Sequence, residues 1–194
     1  MKTLALALLI PVAICTAATP PPGPANPGAN APRGGAAPAT APAARTTAKV
    51  SLTSAAGSAV KGDLTLTNEG VAVSIRGEIT GLTPGKEHGF HVHEVGQCSL
   101  PDFTSAGEHF NPTKASHGDP KSSEHHMGDI PNVKADENGR ATVDVSVKGI
   151  TLEDKDGSPN EILGKALVVH AMPDDYKTQP SGGSGARIAC GVIS

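Results

Sequence analysis

The stretch Glu87-His88-Gly89-Phe90-His91-Val92-His93-Glu94 decides how the rest of the chain reads. His91 and His93 stand two apart, the period of a β-strand, so both imidazoles project from one face while Val92 between them points into the opposite layer. Two such rings can grip one ion, although an isolated His-x-His pair is more often a surface or structural feature. Working outward, the same β pattern recurs at 49–53, 62–67, 71–80, 141–148, 165–170 and 187–193. Turn chemistry separates the runs: Ser54 to Ser58, Asn68-Glu69-Gly70, Asn138-Gly139 and Asp156-Gly157 supply residues suited to positive φ. Helical periodicity is absent over any useful length, so the pattern predicts an antiparallel all-β barrel or sandwich. Between about residues 95 and 132 it lapses into a Gly-, Pro-, Ser- and His-rich excursion, of a kind usually either functional or disordered. Its histidines point to function.

The chain ahead of this domain reads differently. Of 194 residues, the first 45 carry nine of the 17 prolines and only Lys2, Arg33 and Arg45 as charges. Lys2 followed by the apolar run 4–14 and the small residues after Cys15 reads as a signal peptide over 1–18, and hence as export. Val12-Ala13-Ile14-Cys15 resembles a lipoprotein cleavage motif, except that Ile14 stands where a smaller residue is usual, so lipidation of Cys15 with a membrane tether and plain soluble release both stay open. Residues 19–45 are too poor in large apolar side chains to build a core and read as a disordered Pro/Ala/Gly-rich linker. Residues 46–194 are then one domain. Beyond residue 45 there are 13 basic and 19 acidic residues, a formal net of −6. That balance argues against a nucleic-acid partner, and Pro11 interrupts the long apolar run, which excludes a polytopic membrane protein. Cys98 and Cys190 form an even pair inside the domain; in an exported protein this reads as a disulfide, with metal ligation as the alternative.

Eight histidines fall between positions 88 and 170: His88, His91, His93, His109, His117, His125, His126 and His170. His109, His117 and His126, with Asp129 three residues on, make a three-imidazole-plus-carboxylate set that matches a closed tetrahedral zinc site. His170 ends a β run and can return to the His91/His93 pair. His88 has the opposite strand parity and reads as a structural hydrogen-bond donor to a loop carbonyl. His125 reads as solvated, and Phe90, Phe103 and Phe110 as packing.

Five segments, GFHVHE at 89–94, SAGEHFNP at 105–112, HHMGDIPNV at 125–133, LVVHA at 167–171 and GGSGARIACGV at 182–192, resemble in order the motifs of the copper/zinc superoxide dismutases. The resemblance covers nearly all of residues 46–194. It implies an eight-stranded antiparallel Greek-key barrel with a long metal-binding loop, copper on His91, His93, His109 and His170, and zinc on His109, His117, His126 and Asp129. His109 would bridge the metals, Asp174 would link His91 to His117, Cys98 would pair with Cys190, and Arg187 would sit beside the copper to receive superoxide. The resemblance is to exported bacterial members, hence a periplasmic or other extracytoplasmic location, and the loop from His170 to Arg187 is short as in those members. Lys177, Lys114 and Lys121 are further candidates for guiding the anion. Gln97 departs from the family pattern just before Cys98. Monomer and homodimer are both compatible with the sequence. The rival readings are a metal-sequestering protein without turnover and a zinc hydrolase, which needs an open zinc position.

Overall fold

Alternation of buried and exposed side chains builds β1 (Thr47–Ser54), β2 (Lys61–Asn68), β3 (Ala72–Thr80), β4 (Glu87–His93), β5 (Asp129–Lys134), β6 (Ala141–Lys148), β7 (Ala166–His170) and β8 (Arg187–Val192). The computed structural model describes residues 46–153 and 157–194. The expected signal peptide with Cys15, and the expected linker, lie outside them. Every pairing is antiparallel, in the order β5-β4-β7-β8-β1-β2-β3-β6. The two ends of that order, β5 and β6, lie against each other, so the sheet curls into a nearly closed barrel. β7 returns to lie beside β4, and β6 beside β3, which are the non-sequential neighbours of a Greek key.

On β1, Ala48, Val50 and Leu52 face inward while Thr47, Lys49 and Ser51 face water. The same alternation brings Leu64 and Leu66 of β2 and Val143 and Val147 of β6 into one core with Ile75, Ile79, Phe90, Ile130 and Leu167. Each fully buried large aliphatic side chain there contributes roughly 1.5–3 kcal/mol of transfer free energy. β4 and β7 differ, being buried on both faces. Phe90 and Val92 enter the core, and the register His91↔Val168 and His93↔Ala166 sets the two histidines on the other face, under the long loop. Phe90 and Phe103 are fully buried and Phe110 nearly so, and the Lys165 ammonium lies 4.6 Å above the Phe110 ring centroid.

One strand escaped the sequence pattern. The excursion was expected to run to about residue 132, yet β5 begins at Asp129. Its Asp, Pro and Asn have low strand propensity, and Pro131 is tolerated because β5 has a ladder partner only in β4 and ends the sheet order. Pairing with β4, which includes a register shift between His88 and Phe90, overrides the local preference.

The long loop is tied down by a disulfide between Cys98 and Cys190, 92 positions apart. Cys190 is fully buried on β8, in a small cluster with Phe103, Ala106, Ala166 and Val168 under the loop. The chain-entropy model gives a bridge of this span roughly 4 to 5 kcal/mol. Replacing both cysteines by serine is therefore expected to lower the denaturant midpoint of the metal-free protein by an amount equivalent to at least about 2 kcal/mol, measured by urea titration; an unchanged midpoint would refute the assignment of stability to this tie.

Candidate metal centre

Strand pairing assembles half of the site before any loop takes part. His91 and His93 share one face of β4, and His170 ends the neighbouring β7 at a register shift. The long loop delivers His109, whose backbone bridges His93. One donor atom from each of His91, His93, His109 and His170 lies within 4.8 Å of the others. Outer hydrogen bonds fix which nitrogen each ring turns inward. His93 Nδ1 donates to the Gly107 carbonyl (2.9 Å), His170 Nδ1 to the Gly185 carbonyl (3.2 Å), and His91 Nε2 to Asp174 Oδ2 (2.8 Å). Carbonyl and carboxylate oxygens only accept, so the opposite nitrogens carry lone pairs. His93 Nε2 and His170 Nε2 consequently face each other at 3.3 Å.

A second set gathers around Asp129, at the start of β5. Its Oδ1 lies 2.9 Å from His109 Nδ1, 3.0 Å from His117 Nδ1 and 3.5 Å from His126 Nδ1, and the four residues again offer donor atoms within 4.8 Å. Asp129 Oδ2 accepts the backbone N–H groups of His126 (2.8 Å) and Gly118 (3.2 Å), which orients the carboxylate. His109 thus belongs to both sets, Nδ1 on the Asp129 side and Nε2 on the other. Three buried ring nitrogens in these sets, His91 Nδ1, His109 Nε2 and His126 Nδ1, have no hydrogen-bond partner. Leaving such atoms unpaired costs roughly 1–3 kcal/mol each, and a bound cation in each set satisfies them all. The residues present therefore fit two metal ions, one held by imidazoles alone and one by imidazoles plus a carboxylate.

Asp174 spans the two sets, with Oδ2 on His91 and Oδ1 on His117 Nε2 at 2.9 Å. Sequence reasoning missed what holds it. The Asn132 carboxamide accepts from the Asp174 N–H and donates to its carbonyl, both at 2.9 Å, while the Asn132 N–H donates to the Tyr176 hydroxyl. Gly182, at φ +66°, packs so closely that a Cβ there would overlap the Asp174 carboxylate. His88 lies outside both sets and donates from Nδ1 to the His170 carbonyl at 2.8 Å. His125 is likewise outside, its Nδ1 on the His126 carbonyl. Arg187, on β8, donates from its two terminal nitrogens to the Phe103 and Gly107 carbonyls at 2.7 and 2.6 Å, which leaves three of its five N–H donors without a hydrogen-bond partner among the described residues.

Burial holds His91, His93 and His170 neutral, with pKa values lowered to about 4, about 2 and about 3. For His117 burial also pulls downward, but hydrogen bonds to Asp129 and Asp174 override it and raise the pKa to about 9. Burial alone would raise both carboxylates; bonds to His109 and His117, with the His126 imidazole 3.5 Å away, hold Asp129 well below its usual range, and bonds to His117 and His91 do the same for Asp174.

Residues 60–193 match the family model described as copper/zinc superoxide dismutase. The chain is 45% identical to a Cu-Zn superoxide dismutase of Aquifex aeolicus strain VF5 over 136 residues, covering 69% of this chain and 78% of that one. It is 43% identical to a Cu-Zn superoxide dismutase of Caulobacter vibrioides over 135 residues, covering 68% and 77%. Among solved structures, a SOD-like protein from Bacillus subtilis superposes with a TM-score of 0.67 at 38% identity, covering 75% of this chain and 97% of that one.

The charge states set a pH profile for the metal-free protein. The depressed His91, His93 and His170 contribute full stability above the unfolded value near 6.5 and lose it as pH falls toward about 4 and below. His117 contributes fully below that unfolded value and loses its contribution as pH rises through about 9. Urea midpoints of the metal-free protein should therefore peak near neutrality and fall on both sides; a midpoint still rising beyond about pH 9 would contradict the His117 assignment.

Proposed function

Because the chain belongs to the copper/zinc superoxide dismutase family, we propose that its two donor sets divide the metals, with copper on His91, His93, His109 and His170 and zinc on His109, His117, His126 and Asp129. The protein is an oxidoreductase, a superoxide dismutase that uses copper and zinc. The observation that carries the division is His109, whose Nδ1 lies 2.9 Å from Asp129 while its buried Nε2 faces the other imidazoles without a partner. When bound, copper supplies the one-electron couple by which one superoxide is oxidised to dioxygen and a second, with two protons, is reduced to hydrogen peroxide, while zinc supplies a fixed positive charge.

The chain's own residues do the rest. His109 can hold a proton at Nε2, the one ring position in the shared imidazole that no protein atom claims. Arg187 presents its free N–H donors to the anion, and its anchorage on two loop carbonyls keeps the guanidinium in place. With the domain net acidic, attraction of an anion depends on this local charge rather than on the overall field. Asp129 and its three imidazoles would supply all four donors of a tetrahedral shell, which disfavours the hydrolase reading. The intact copper-side set and Arg187 disfavour sequestration without turnover.

A disulfide and the N-terminal segment support an extracytoplasmic setting, with residues 1–18 as the export signal, 19–45 as a spacer and the periplasm as the destination. A lipid tether at Cys15 and a homodimer extend this proposal. Mass spectrometry of the mature N-terminus decides the first, since a diacylated Cys15 supports it and an unmodified start at Ala18 or Thr19 rejects it; light scattering decides the second.

Removing residues 1–45 is expected to leave activity intact. Arg187→Ala should retain both metals, because Arg is no ligand, yet lower kcat/KM at least about tenfold, or ~1.4 kcal/mol. Arg187→Lys should recover part of the loss, the ammonium keeping the charge but not the planar fork. Rising salt should slow the native enzyme more than the alanine variant; equal activity and equal salt response would make Arg187 purely structural.

A further inference from the structure

His109 is anchored through its backbone on β4, and His126 through its N–H on Asp129. His117 has neither support. It lies in a segment without strand or helix, and the nearest loop anchor is the Gly118 N–H on Asp129. Among the described residues, both backbone groups of His117 are instead taken by one side chain. The His117 N–H donates to Gln179 Oε1 at 2.9 Å, and Gln179 Nε2 donates back to the His117 carbonyl at 2.8 Å. This is the pairing of two residues across an antiparallel ladder, made here by a carboxamide 62 positions away. Gln179 Nε2 also reaches the Lys177 carbonyl of its own loop at 3.4 Å, which presets the amide plane.

We infer that Gln179 is a positioning residue for the zinc ligand His117. Asp174 fixes the tilt of the ring through Nε2, Gln179 fixes the backbone from which the ring swings, and the two together determine where Nδ1 points. Both come from the loop between β7 and β8, so this loop places a ligand that the metal-binding loop carries. Asp174 keeps its own hold through Asn132, so the copper-side contact at His91 does not depend on Gln179. The inference rests on the zinc assignment proposed above.

The test uses the protein loaded with copper and zinc, and a second preparation in which Co(II) replaces zinc as a visible probe. In Gln179→Ala, release of zinc to a chelator should be about tenfold faster than in the native protein, within the range seen when a residue supporting a metal ligand is removed. The Co(II) visible bands should change while copper content and the copper spectrum do not. Gln179→Glu, nearly isosteric, keeps the acceptor but loses the donor to the His117 carbonyl, and should show at least as large an effect. Unchanged zinc release and unchanged Co(II) bands in both variants would overturn the inference, as would a drop in urea midpoint that is equal in the metal-free and zinc-loaded proteins, since that marks a general loop strut. His117→Ala separates the premise from the inference: if it retains the native tetrahedral Co(II) signature, the ligand assignment itself falls, whatever Gln179 does.

Discussion

A carboxylate without access to water, Asp129, is the constraint around which this molecule is arranged. A buried charge is costly unless it is paired and hydrogen-bonded. Asp129 receives two backbone N–H groups and stands within reach of three imidazoles, and it still requires a cation nearby. In the proposed assignment zinc meets that need in the loaded protein. In the metal-free protein the proton on His117 meets it, which is why that imidazole is pushed upward while His91, His93 and His170 are pushed down. Metal binding at this set is then an exchange of one cation for another at a fixed carboxylate.

The same residue joins the site to the barrel. Asp129 pairs directly with His91 across the β5–β4 ladder, so the register that forms the sheet also sets the spacing between the two donor sets. His91, His93, His170 and Asp129 all sit on strands, and their positions follow from hydrogen-bonded pairing. His109, His117 and His126 arrive on the long loop and need ties of other kinds: a disulfide at its start, a backbone bridge at His109, and side-chain contacts at His117. The all-imidazole set is largely a product of secondary structure, and the set around Asp129 largely of loop anchorage.

This division also explains what could be read from the sequence. Strands with a buried and an exposed face announce themselves by alternation, so β1, β2 and β6 were legible, as was the parity that sets His91 and His93 apart from His88. Metal-ligand chemistry is confined to few residue types, so clustered histidines were legible too. β5 was not, because Asp129, Pro131 and Asn132 carry no strand signal and their conformation is imposed by a neighbour. Asn132 and Gln179 left no trace either. Each acts by pairing with the backbone of a residue 42 or 62 positions away, and an amide that makes such a contact looks in sequence like any polar loop residue. The carbonyls of Gly107 and Gly185, which orient His93 and His170, belong to the main chain and are invisible to any reading of side chains.

The Gly107 carbonyl oxygen accepts from His93 Nδ1 and from the Arg187 guanidinium at once. A ring of the all-imidazole set and the Arg187 guanidinium therefore hang from one atom, and a shift of that atom moves both together. No side-chain substitution can delete a main-chain oxygen, so point mutation has no direct means of uncoupling them. The path of the loop, pinned nine residues earlier at Cys98, is what evolution can adjust, and any such adjustment moves the His93 ring and the Arg187 guanidinium as a single inherited trait.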